Sequence, residues 1–110
     1  MEHAVREEQG TLVVSFQGEV DLEHSPKARE VLLGCVAKKQ DILVDLSEVS
    51  YIDSSGVASL VEAFQTSKKA GSAFGLVSVN PAALRVLELA RLDKIFTIHS
   101  TLAEGLGDDS

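Results

Sequence analysis

The sequence predicts an α/β fold in which strands and helices alternate along a single domain of 110 residues. Three observations carry that expectation. Apolar spacing switches repeatedly between period two and period three to four. The run Ile42-Leu43-Val44-Asp45-Leu46 is almost wholly apolar, as in a strand covered on both faces. Ser25-Pro26 and Asn80-Pro81 each place a capping residue before a proline that suits the first helical position. A chain of this size buries roughly two-thirds of its unfolded surface and needs no covalent staples.

The elements follow in order. His3 to Glu8 suits a short polar edge strand, Gly10 makes a turn, and Thr11 to Gly18 is a β-branched strand, so the two form a hairpin. Gly18-Glu19-Val20-Asp21 leaves that strand. Ser25 is the expected N-cap of a helix whose apolar face is Ala28, Val31, Leu32, Cys35 and Val36, ending at Gln40 and Asp41. After the strand Ile42 to Leu46, Ser47 to Ile52 lead into Asp53-Ser54-Ser55-Gly56. Val57, Leu60, Val61 and Phe64 then recur at i, i+3, i+4, i+7, an amphipathic helix that runs to about Ala70 and stops at Gly71. Ala73 to Val79 is a strand, and a third helix from Pro81 turns Leu84, Val86 and Leu87 inward. Ile95 to Ile98 is a last short strand, Thr101 to Leu106 a terminal helical turn, and Gly107 to Ser110 is expected to fray. Right-handed crossovers then make the middle strands parallel neighbours.

Composition narrows the function. Seventeen acidic against ten basic residues give a net charge of −7, which opposes binding to a phosphate backbone, so no nucleic-acid partner is expected. The basic doublets Lys38-Lys39 and Lys68-Lys69 sit near helix ends, where they complement the dipole. No apolar stretch reaches the roughly 20 residues that span a bilayer, and the first residues lack a signal-peptide shape. The expectation is a cytoplasmic domain without membrane insertion. The one cysteine, Cys35, lies in an apolar run and reads as a small buried hydrophobe.

Asp53-Ser54-Ser55-Gly56 stands between a buried strand and an amphipathic helix and is therefore a helix N-terminus. The plain role is capping by Asp53 or Ser54, with Gly56 allowing close backbone packing. Both serines also carry hydroxyls where free amides and the helix dipole favour an anion. The strand end at Gly18 to Asp21 is placed to bring Asp21 beside Asp53. A phosphate on Ser54 adds about −1.5 to −2 charges without disturbing the helix, while a partner fitted to the hydroxyl meets bulk and charge.

Gly18-Glu19-Val20-Asp21, Ile42 to Leu46, Tyr51-Ile52-Asp53-Ser54-Ser55-Gly56-Val57, Asn80-Pro81 and Leu89 to Phe96, in this order and spacing, resemble a STAS domain over about residues 5–106, and more narrowly a bacterial anti-sigma factor antagonist. The resemblance implies a central mixed sheet of four to five strands, one at the edge, with helices packed mainly on one side. It implies that the unphosphorylated protein binds an anti-sigma factor, which is a serine kinase, and that this kinase phosphorylates the serine after the motif aspartate, Ser54. A PP2C-type phosphatase reverses the modification. Asp21, Asp53, Ser55, Gly56 and Val57 match the motif and partner-binding positions. The alternative is a STAS subunit of a lipid-transport ABC system, held to its ATPase or permease.

Catalysis fits the residues less well. His24 follows Asp21 closely enough to approach Ser54, but no Gly-x-Ser-x-Gly elbow is present. His3, His24 and His99 are widely separated and Cys35 has no partner, so neither a metal site nor a cofactor is expected. The chain reads as the substrate of an enzyme and not as an enzyme.

Overall fold

Glu2–Glu8 (β1) and Thr11–Val20 (β2) form an antiparallel hairpin joined by Gln9 and Gly10. Both turn residues take positive φ, 53° and 80°, the left-handed pair that a two-residue hairpin turn uses. In this computed structural model, which describes residues 1–107, the hairpin leads into a five-stranded sheet of order β1-β2-β3-β4-β5. Ile42–Ile52 (β3), Phe74–Val77 (β4) and Thr97–His99 (β5) each join their preceding neighbour in parallel, as the crossovers require. β1 is exposed along nearly its whole length, and its charged side chains blunt the sheet edge. The fraying expected beyond Gly107 concerns residues 108–110, which lie outside the described residues.

Two strands run further than their apolar pattern suggests. From the pair Ser15–Asp45 to the pair Gln17–Glu48, β3 advances one residue more than β2, and it does so again between Gly18–Val49 and Glu19–Tyr51. These irregularities shift the buried positions of β3 to Leu46, Val49 and Ile52. A spacing of three hides a strand from a period-two reading. Gly18 to Val20, read as the strand's exit, therefore stay in the sheet, and Gly18 absorbs the distortion with φ of 91°.

Ser25–Val36 (α1), Ser54–Lys69 (α2) and Pro81–Leu89 (α3) contribute to one core over the sheet, where Phe16, Val44 and Leu46 meet Leu32, Leu60 and Leu87. Phe64, Phe74 and Phe96 close one end of it with ring centroids 5.4 to 6.1 Å apart. The short helix Leu102–Gly105 (α4) lies against the opposite face, where Leu43 and Val77 leave room only for the bare Cα of Gly105. Three helices on one face and a single turn on the other match the expected mixed α/β architecture. Cys35 is buried as expected, and burial pushes its thiol pKa up against the opposing charge of Lys38.

Three local expectations need correction. α1 is not capped by Ser25: its N-cap is His24, and Ser25 is a buried first helical residue. Asp21 organises this start, its carbonyl accepting from the amides of His24 and Ser25 and its Oδ1 accepting again from His24 N. On α3 the buried positions are Ala83 and Leu87, while Leu84 and Val86 are half-buried. Ile95 is exposed in a turn, since the Leu92 carbonyl accepts from both Ile95 N and Phe96 N, and the last strand starts at Thr97.

Asn80 caps α3 as expected, Oδ1 accepting from Ala83 N at 2.9 Å. Its Nδ2 also donates to the carbonyls of Leu46 and Val49, where β3 departs from regular pairing. One side chain thus holds the distorted strand and starts the third helix.

Candidate functional site

β3 ends at Ile52 and Asp53 keeps an extended backbone, φ −112° and ψ −172°, which aims its side chain at the first turn of α2. Oδ1 accepts from Ser55 N at 2.9 Å and Gly56 N at 3.1 Å. Oδ2 accepts from Leu22 N at 3.0 Å, and Asp53 N donates to the Val20 carbonyl at 3.3 Å. Asp53 therefore caps the helix and clamps the β2–α1 loop to it. Of the two capping candidates in the sequence, Asp53 takes the role.

That assignment leaves Ser54 at the first helical position with its side chain exposed. Ser55 is half-buried, and its carbonyl accepts from Ser59 Oγ at 3.2 Å. Ser59 Oγ also lies 3.3 Å from the Ser25 carbonyl, so the first turns of α1 and α2 are tied together. Gly56 is buried: a Cβ there would overlap the Val20 carbonyl and stand 2.8 Å from Ile52 Cγ1. Val57 is 7% exposed and packs largely into the core, whereas Ala58 is exposed.

Asp21 lies one residue before the Leu22 amide that Asp53 holds, and each aspartate organises the start of one helix, Asp21 that of α1 and Asp53 that of α2. Asp21 Oδ1 is 2.7 Å from His24 Nδ1. Burial pushes the Asp21 carboxyl pKa up, but the His24 amide, its imidazole and its charge outweigh this and hold it below the ordinary 3.8. A depressed carboxyl favours the folded state above its ordinary value, and that contribution disappears as pH falls through the folded midpoint. We expect His24→Ala to move the Asp21 midpoint up towards 3.8, read by carboxyl-carbon NMR titration; an unmoved midpoint would contradict the pairing.

The His24 ring nitrogen Nδ1 faces Asp21. Asp21, Glu23 and His24 do bring ligand-type atoms within 4.8 Å on one turn, a juxtaposition the spacing of histidines does not reveal. Asp21 and His24 satisfy each other there, and the turn carries no metal assignment. Among the described residues no helix is long and apolar enough to cross a membrane.

Other surface features complete the site. Leu22 is 74% exposed beside the Asp53 clamp. A groove of about 520 Å³ starts at Ser54 and runs between α2 and α3, lined by Val57, Ala58, Val61, Val86 and Ala90. Of these, the resemblance implies Val57 as a partner-binding position, and it gives no sign of the α3 wall.

Comparison with known proteins agrees with the fold. The STAS domain family matches residues 2–105. The chain is 30% identical over 101 residues to an anti-sigma-B factor antagonist of Bacillus subtilis, covering 92% of each chain. It is 35% identical over 105 residues to the anti-sigma-F factor antagonist RsfB of Mycobacterium tuberculosis, covering 93% of this chain and 84% of that protein. The crystal structure of an anti-sigma factor antagonist from Mycobacterium paratuberculosis superposes with a TM-score of 0.89 at 31% identity, over 96% of this chain and 91% of that one.

Proposed function

The chain belongs to the STAS domain family, and from that premise we propose that it is an anti-sigma factor antagonist switched by phosphorylation of Ser54. It acts as a regulatory binding protein and not as an enzyme. Unphosphorylated, it binds an anti-sigma factor of the serine-kinase type and releases a sigma factor. The kinase modifies Ser54, and a PP2C-type phosphatase restores the hydroxyl.

The observation that carries this reading is the division of labour at the N-terminus of α2. Asp53 supplies the cap, so the exposed Ser54 hydroxyl is not needed for the fold. The helix terminus suits an added phosphate, so modification changes the surface and leaves the scaffold intact. The named relatives at 30% and 35% identity are antagonists, which supports this partner class. The transport-subunit alternative has no comparable observation in its favour.

The test is phosphate mapping. Incubation with the anti-sigma kinase and ATP, followed by peptide mass spectrometry, is expected to place one phosphate on Ser54. Modification confined to the half-buried Ser55 would overturn the assignment.

A further inference from the structure

We propose that the end of the molecule opposite Ser54 is a peripheral docking surface for an anionic lipid bilayer. Lys68, Lys69, Arg91 and Lys94 meet the headgroups there, and Leu89 and Ile95 enter the boundary beneath them.

Topology gathers the cations. Each of α1, α2 and α3 precedes a strand that joins its neighbour in parallel, so the three helix C-termini share the end of the sheet where β3, β4 and β5 begin. Two hydrogen bonds tie the first two of these loops, Asp41 Oδ1 accepting from Ala73 N and the Ala73 carbonyl from Ile42 N, both at 2.9 Å. Phe96 packs on Phe64 and Phe74 and holds the α3–β5 turn beside the end of α2. Residues 37–41, 66–73 and 89–97 thereby bring six of the ten Lys and Arg residues to one end, with two of the seventeen acidic ones, Asp41 and Asp93. The six are Lys38, Lys39, Lys68, Lys69, Arg91 and Lys94, all exposed, and among the described residues none of them lies in an ion pair. Glu7 and Glu8 reach the same end along β1, where Gln40 Nε2 donates to Glu7 and Arg6 pairs with Glu8. Around Ser54 the sign reverses: residues 17–26 and 45–57 hold Glu19, Asp21, Glu23, Asp45, Glu48 and Asp53 and no Lys or Arg.

Two features exceed what the helix ends require. A helix C-terminus carries about half a negative charge, so the doublet Lys68-Lys69 leaves a surplus after offsetting it. The left-handed residue that closes a helix is commonly glycine, as Gly71 is after α2, yet Lys39 and Arg91 follow α1 and α3 with φ of 59° and 60°. Beside these cations Leu89 is 75% and Ile95 54% exposed. Lipid charge draws such a basic cluster to the surface, and the acyl boundary accepts the aliphatic tips. Composition favours lipid over an acidic protein, since lysine is depleted at protein interfaces and five of the six cations are lysine. The net charge of −7 does not prevent this, because a bilayer meets one end only. The molecule measures 32 by 28 by 24 Å, and charges at its far end lie roughly three Debye lengths of about 8 Å away.

The experiment floats the full chain with vesicles of phosphatidylcholine alone and with vesicles containing one-third phosphatidylglycerol. The expected result is at least tenfold tighter binding to the anionic vesicles, lost at high salt. Lys69→Glu and Lys94→Glu are each expected to lose at least fivefold. Lys27→Glu, the same charge change at the start of α1, should stay within twofold. The Leu89→Asn, Ile95→Asn double variant is expected to lose at least threefold with charge unchanged. Arg91→Gly relieves the left-handed backbone, so its melting temperature should rise while vesicle binding weakens at least threefold, which separates the surface from the fold. Circular dichroism checks the folding of every variant. Equal binding to the two vesicle types, an equal loss in Lys27→Glu, or undiminished binding by the double variant or by Arg91→Gly would overturn the proposal. Retention on immobilised polyglutamate without vesicle binding would assign this end to an acidic protein and overturn it as well.

Discussion

Ser54→Asp is expected to weaken binding of the anti-sigma factor about a hundredfold, whereas Ser54→Ala binds as wild type and stays bound in the presence of kinase and ATP. The geometry gives both halves of the result. Ser54 is exposed at the first position of α2, and the cap is made by Asp53, so neither substitution removes a hydrogen bond on which the helix start depends. A carboxylate at that position is favourable to the helix dipole, so the free protein remains folded. The cost falls on the complex, where a charge is buried without a partner against a surface that fits a hydroxyl. Such a mismatch typically costs about 3 kcal/mol, which is roughly two decades in affinity. Calorimetry against the purified anti-sigma factor measures it directly. Equal affinity of wild type and Ser54→Asp would sink the switch, and an unfolded Ser54→Asp would show that the cap assignment is mistaken.

Gly56→Ala is expected to lower stability by about 3 kcal/mol, the range of overpacked buried sites where backbone stands in the way. The added methyl would overlap the Val20 carbonyl and press on Ile52 Cγ1 and Val20 Cγ1, at 2.8 and 2.9 Å. An oxygen of the main chain cannot rotate aside as a side chain does, so α2 must lift from the ends of β2 and β3. In a domain of this size, each kcal/mol corresponds to roughly 4–8 °C, so the melting temperature should fall by well over 10 °C. The same displacement draws the Ser55 and Gly56 amides away from Asp53 and shifts the groove wall, so binding should fall together with stability. A melting curve matching wild type would refute the close approach. The contrast with Ser54 is useful: one residue acts on the surface with the fold intact, and the other acts on the fold beneath that surface.

Much of this molecule is legible in the sequence wherever the signal is local. Gly10 marks the hairpin turn and takes the left-handed conformation there, while the positive φ of Gln9 beside it has no sequence signal. The stripe Val57, Leu60, Val61, Phe64 and the stop at Gly71 describe α2 because helix periodicity and termination act within a few residues. Asn80-Pro81 starts α3 as read, since cap and proline are adjacent. The Asp53-Ser54-Ser55-Gly56 element is recognisable for the same reason. Where reading fails, the deciding partner lies outside the motif that was read. Ser25 looks like a cap, yet Asp21 arranges that turn and Ser25 is buried beneath Ser59. β3 outruns its apolar pattern because paired β2 and the Asn80 side chain hold it through two irregularities.

The sequence by itself therefore determined the α/β class, the order of elements, the parallel middle strands and the short segment that carries the candidate switch, because each depends on contacts between near neighbours in the chain. Tertiary structure alone decided which residue caps α2, which serine is left exposed, and that an apolar groove begins at that serine. Those outcomes depend on the Leu22 amide reaching Asp53 across 31 residues and on α3 settling beside α2, with no nearby sequence pattern to announce either.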